Sequence, residues 1–155
     1  MTGVVVTGPY MAEKTRQRLH WIAERRPRLE LLEFMPETAP LIDRADRVIA
    51  MGGYNTMCEV LSFEKHALIV PRVKPKPEQW IRAERMRDLG LVDVLHPDDL
   101  SPRAIAKWLA RDLGAPPASR GRIDFCGLDR IPGLLAELLE GFASPVSRAV
   151  PATVS

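Results

Sequence analysis

At 155 residues, 46% hydrophobic and 27% charged, the chain has the length and composition of one globular domain that can bury a sizeable core. Its 22 basic and 20 acidic residues are well mixed and leave a net charge of +2, which excludes the clustered cationic face of a nucleic-acid binder. No run approaches the ~20 apolar residues needed to cross a bilayer.

The start, Met1 to Gly8, lacks the basic and apolar regions of a signal peptide. Cys58 and Cys126 stand far apart with no CxxC spacing, so neither a zinc site nor a disulfide framework is supported, and a reducing cytoplasm is the expected compartment. Arg25-Arg26-Pro27-Arg28 reads as a solvated loop, and contact with anionic lipid is the one membrane role left open to it.

Val4-Val5-Val6, stopped by Thr7-Gly8-Pro9, reads as a strand ending at a turn. A helix is expected from about Met11 to Glu24 and a second strand from Leu29 to Phe34. Thr38-Ala39-Pro40 opens a short helix, with Thr38 as its N-cap. Arg47 to Met51 is the third strand and Thr56 to Phe63 the helix after it. Ala67-Leu68-Ile69-Val70, stopped by Pro71, has the continuous apolar character of a strand buried on both faces.

A proline-braced loop, Arg72 to Gln79, leads into a helix from about Glu78 to Leu89, with Gly90 as its stop. Leu91 to Leu95 is a last short strand, and Ser101-Pro102 starts another helix with Ser101 capping. Ile131, Leu134, Leu135, Leu138, Leu139 and Phe142 recur at helical spacing. This stripe either packs on the chain's own sheet or docks to a partner half. Residues 1–113 thus form a Rossmann-like domain, 114–130 a linker, 131–142 an amphipathic helix and 143–155 a mobile tail.

Strands alternating with helices specify a parallel sheet with flanking helices, an α/β fold. Ligands in such sheets bind beyond the carboxyl ends of the strands. Two loops fall there. In the first, Gly52-Gly53 lets a ligand approach bare backbone, and the helix N-terminus at Asn55 and Thr56 favours an anion such as a diphosphate. Glu59, one turn on, is placed to accept hydrogen bonds from a ribose. Thr56-x-x-Glu59 also fits a capping box, a purely structural reading. The second loop is Arg72 to Gln79.

The run Ala45-Asp46-Arg47-Val48-Ile49-Ala50-Met51-Gly52-Gly53-Tyr54-Asn55-Thr56-Met57-Cys58-Glu59 resembles the donor-site signature of GT-B glycosyltransferases, in particular family 28, which includes the UDP-GlcNAc transferase of bacterial peptidoglycan synthesis. Ala67 to Pro71 and Glu78-Gln79-Trp80-Ile81-Arg82-Ala83 resemble the segments that follow it there, in the same order, and the likeness spans roughly Val4 to Ala110. It implies the carboxyl-terminal, donor-binding half of a GT-B fold lacking its first strand.

Carried over by position, the resemblance puts Gly52, Gly53, Asn55 and Thr56 on the diphosphate, Glu59 on the ribose, Glu78 and Gln79 on the donor sugar, and Phe34 and Met35 at the base. The implied reaction moves a hexose or GlcNAc from a nucleotide diphosphate sugar, with UDP the expected nucleotide, by inversion and without a metal or other cofactor. No catalytic residue is assigned, because the acceptor half and its general base lie outside the matched region. His20, His66 and His96 match no catalytic position, and Arg82 stands where the peptidoglycan enzyme has an amide residue. A fragment of a longer transferase and one subunit of a split enzyme both fit. A nucleotide-sugar epimerase half and a non-catalytic nucleotide-binding domain are the competing classes.

Overall fold

The computed structural model describes residues 2–143, with side chains as far as residue 140. The chain divides into two compact units, Met1–Pro117 and Ala118–Ser155. In the first unit the elements run β1 (Gly3–Val6), α1 (Glu13–Glu24), β2 (Leu29–Leu32), α2 (Ala39–Arg44), β3 (Arg47–Ala50), α3 (Tyr54–Ser62), β4 (His66–Ile69), α4 (Glu78–Asp88), β5 (Asp93–Val94) and α5 (Pro102–Leu109). Every strand pair is parallel. A helix between consecutive strands provides the long crossover that parallel pairing demands.

The core gathers around β4. Ala67, Leu68 and Ile69 are 2%, 4% and 0% exposed, the continuous burial that their unbroken apolar run anticipates. Met57, Val60 and Leu61 of α3, Ala83 of α4, and Trp108 of α5 are buried as well. Helix ends follow local chemistry. Ser101 Oγ accepts the Ala104 N–H at 3.2 Å, and Gly90, at φ +67°, lets the chain turn back so that the Leu91 N–H reaches the Met86 carbonyl at 2.9 Å. The last strand is shorter than expected. Leu91 and Val92 are buried, but only Asp93 and Val94 pair with β4.

The expected single sheet is in two pieces. β1 and β2 form one ladder, β3, β4 and β5 another, and no ladder joins them among the described residues. Pairing between strands distant in sequence leaves no local signature, so periodicity alone could not show this break.

At the amino ends of the strands, polar groups fasten α5 to the three-stranded sheet. Arg47 donates to the carbonyls of Trp108 at 3.0 Å and Arg111 at 2.6 Å, while Asp93 accepts from the Trp108 indole N–H at 2.7 Å and from Arg111 at 3.2 Å. Removing Asp93 orphans a donor on the buried Trp108 ring. Asp93→Ala is therefore expected to cost about 1–2 kcal/mol in chemical denaturation, whereas an Arg111→Ala change on the exposed pair stays within about 1 kcal/mol.

In the second unit, helix α6 spans Gly127–Ala143 and begins before the expected Ile131, with Pro132 inside it. Leu128, Ile131, Leu134, Leu135, Leu138 and Leu139 are all exposed. The side chain of Phe142 and the tail after Ala143 lie outside the described residues.

Candidate functional site

The site is built on the turn from β3 into α3, at the carboxyl edge of the sheet. Gly52 adopts φ +71°, a conformation side chains resist, and a Cβ there would lie 2.6 Å from Ile69 Cγ2 in the fully buried end of β4. Glycine is required twice over, by backbone angle and by space. Gly53 is different. Its φ is −54° and an added Cβ would meet nothing within 4 Å, so neither backbone angle nor space requires a glycine there.

Gly53 is also the N-cap of α3 and makes no side-chain cap bond. The first bond of the helix runs from the Met57 N–H to the Gly53 carbonyl at 2.9 Å. The N–H groups of Tyr54, Asn55 and Thr56 precede that bond and form the donor-rich mouth of the helix. Tyr54 and Asn55 are exposed there.

This start corrects the capping-box reading. With the helix beginning at Tyr54, Thr56 is its third residue and cannot cap it. Glu59 instead accepts a hydrogen bond from the Thr38 hydroxyl at 2.9 Å, with the pair half-buried between α2 and α3. Thr38 does stand at the N-cap position of α2, but it makes no cap bond, since its hydroxyl is turned to Glu59. One carboxylate oxygen of Glu59 is thereby fixed in direction.

Helix α4 brings a further group to the turn. Arg82 Nη1 donates to the Gly52 carbonyl at 3.3 Å, and the guanidinium lies 5.4 Å from the centre of the Tyr54 ring. Glu78 opens the same helix, exposed and one turn before Arg82. Gln79 accepts the Arg72 N–H through Oε1 at 3.1 Å, which braces the loop after β4 against the first turn of α4. Trp80 meets His96 edge-on with ring centres 5.1 Å apart. Sequence reading assigned no site role to Arg82 or Thr38. The Glu78-x-x-x-Arg82 spacing was the available signal for the arginine, since residues four apart share a helix face.

Phe34 and Met35 follow β2 at the carboxyl edge of the two-stranded sheet, Phe34 being 64% exposed. Their segment is anchored at both ends, by Thr38 on Glu59 and by the Thr7 hydroxyl on the Glu33 carbonyl at 3.2 Å. The Glu33 carboxylate takes His20 Nε2 at 2.7 Å and has Arg16 at 3.6 Å. The hydrogen bond from His20, aided by the Arg16 charge, holds the Glu33 carboxyl below its usual range against an opposing desolvation effect. Because its pKa is lowered, Glu33 favours the folded chain at pH above its ordinary value of 4.5, and that contribution fades as pH falls through the lowered value. In His20→Ala the Glu33 carboxyl, followed by NMR, is expected to titrate at higher pH.

Among the described residues no group of three or more His, Cys, Asp or Glu is gathered to hold a metal ion, and no helix is long and apolar enough to cross a membrane.

The chain is similar to known glycosyltransferases over part of its length. A UDP-N-acetylglucosamine–N-acetylmuramyl-(pentapeptide) pyrophosphoryl-undecaprenol N-acetylglucosamine transferase of Haemophilus influenzae (strain PittGG) is 27% identical over 86 residues, 56% of this chain and 24% of that protein. The transferase of the same name from Sulfurihydrogenibium sp. (strain YO3AOP1) is 32% identical over 82 residues, 52% of this chain and 24% of it. An uncharacterized glycosyltransferase of Methanopyrus kandleri is 28% identical over 109 residues, covering 70% of this chain and 31% of the relative. The chain thus spans only a quarter to a third of these relatives. The crystal structure of the glycosyltransferase VinC in complex with dTDP shares the fold at a TM-score of 0.59 with 16% identity, over 77% of this chain and 35% of that one. The glycotransferase of kitacinnamycin does so at 0.53 with 14% identity, over 90% and 39%. Residues 3–118, from the first strand through the fifth helix and beyond, match the family model described as the glycosyltransferase family 28 C-terminal domain, and to that family the chain belongs.

Proposed function

We propose that this chain is the donor-binding half of a glycosyltransferase, one that moves a hexose or GlcNAc from a UDP-sugar and needs a separate acceptor-binding half. The observation that carries the reading is the Gly52 turn. A glycine locked at positive φ against buried Ile69 delivers bare backbone and the open N–H groups of α3 to the carboxyl edge of the sheet. The names of the relatives supply UDP-GlcNAc as the first donor to try, and the dTDP in VinC is a nucleoside diphosphate on the same fold.

On this reading Gly52, Gly53, Asn55 and Thr56 receive the diphosphate, Glu59 the ribose hydroxyls, Phe34 and Met35 the base, and Glu78 and Gln79 the sugar. An acceptor hydroxyl attacks the anomeric carbon as the bond to the diphosphate oxygen breaks, and the electron pair leaves with UDP. The proton goes to a base of the acceptor half. Attack opposite to the leaving group inverts the centre. The N–H groups at the mouth of α3 face the charge that builds on the departing diphosphate, so a metal is not required.

Titration of UDP and UDP-GlcNAc into the chain by calorimetry, in buffer containing EDTA, tests this. Saturable binding of both is expected. No heat, together with no rise in melting temperature at millimolar nucleotide, overturns the reading.

A further inference from the structure

Arg82 holds a position that its own helix does not explain. Residues four apart on a helix share a face, and an acid ahead of a base is the favourable order, so Glu78 is the natural partner of Arg82. That pair does not form. The ion pairs within α4 join Arg87 to Glu84 and Asp88, and among the described residues none takes Arg82. Its guanidinium reaches instead to the turn after β3. There Nη1 donates to the Gly52 carbonyl at 3.3 Å, and the charge lies 5.4 Å from the centre of the Tyr54 ring.

Gly52 and Tyr54 flank Gly53, the N-cap of α3, so the guanidinium stands beside the open N–H groups of that helix. A guanidinium carries five donors in a planar fork, and the Gly52 carbonyl engages one edge of it. The Arg82 side chain is half-buried, where a charge is screened less than in open water. A cation without a counter-ion beside the positive end of a helix is unfavourable by itself. An anion seated against both reverses the sign. Glu59 is tied to α2 through Thr38, whereas Arg82 comes to the turn from α4, the helix that carries Glu78. With the ribose at Glu59 and the sugar at Glu78, Arg82 falls to the phosphate nearer the sugar.

We propose that Arg82 binds the β-phosphate of the donor and neutralises the charge that gathers there as the bond to the sugar breaks. Its assignment to a phosphate rests on the donor-site reading and adds to that site a residue with a full charge. The Gly52 carbonyl holds one edge of the fork, and the other edge takes two phosphate oxygens. The helix mouth and the arginine then stabilise the same leaving group, one by N–H dipoles and the other by a cation. A choice of substrate class follows. The site takes sugars activated by a diphosphate and rejects those activated by a single phosphate, which would leave Arg82 without its partner.

Calorimetry with UDP and UMP on wild type, Arg82→Gln and Arg82→Lys tests this. Wild type is expected to bind UDP at least about tenfold more tightly than UMP. Arg82→Gln is expected to weaken UDP about tenfold to a hundredfold while moving UMP less than about threefold. Arg82→Lys keeps the charge without the fork, and its preference for UDP is expected to fall by about threefold to tenfold. Equal weakening of UDP and UMP in Arg82→Gln assigns the arginine to bracing the turn and overturns the proposal, since both nucleotides seat a phosphate there. A glutamine variant that keeps the wild-type preference overturns it too. Melting temperatures without nucleotide show whether each variant folds. Should Arg82→Gln fail to, the lysine variant decides, and an undiminished preference in it overturns the proposal. No UDP binding by wild type removes the donor site and this role together, whereas an unselective Arg82→Gln leaves the donor site standing.

Discussion

Gly52→Ala is expected to destabilise the chain by about 2–4 kcal/mol and to abolish measurable UDP binding. Two independent penalties combine. The backbone sits at φ +71°, and the new methyl would lie 2.6 Å from Ile69 Cγ2. Ile69 is fully buried and cannot swing away, so the turn itself must move, carrying the mouth of α3 with it. Gly53→Ala isolates the second role of the pair. Nothing stands within 4 Å of a Cβ there, so the fold should tolerate the change while UDP binding weakens because the methyl intrudes on the ligand's side. Urea denaturation and calorimetry on both variants check this. If Gly53→Ala binds UDP as wild type does, the diphosphate does not approach that backbone.

Glu59→Ala is expected to weaken UDP about tenfold to a hundredfold, the loss of one charged hydrogen-bonding group to a ligand. The same change removes the acceptor of the Thr38 hydroxyl, so some stability is lost with it. Thr38→Val separates the effects. It deletes that tie but keeps the carboxylate, and should leave UDP affinity within a few-fold of wild type while lowering stability as the glutamate variant does. A Glu59→Ala protein that melts early yet binds UDP normally would falsify the ribose assignment and leave Glu59 as a brace between α2 and α3.

Much of the scaffold was legible in the chain. Short apolar runs closed by glycine or proline placed β1, β3 and β4 within a residue or two, and Ser101-Pro102 placed α5 to the residue. The Gly-Gly turn was legible too, because positive φ leaves few alternatives to glycine. What local pattern could not carry is instructive. Thr56-x-x-Glu59 has capping-box spacing but sits three residues too far into the helix, and Glu59 finds its partner 21 residues away in sequence. Arg82 reaches Gly52 across 30 residues. The interruption of the sheet is of the same kind, a property of which strands meet.

The expected start of α6 at Ile131 falls after the observed one at Gly127, because the apolar stripe that marks the helix starts only at Ile131 while Gly127 and the residues before it show no helical periodicity. The exposed leucines of that helix also show that a clean apolar stripe specifies an amphipathic helix without specifying what covers it.

The clasp formed by Arg47, Asp93, Trp108 and Arg111 grips only one rim of the sheet. The opposite rim is braced separately, by Arg82 on the Gly52 carbonyl, Gln79 on the Arg72 N–H and Thr38 on Glu59. A chain loosened at the Arg47 rim is therefore expected to lose fold and ligand together, whereas Gly53→Ala, which meets nothing within 4 Å, is expected to lose ligand alone.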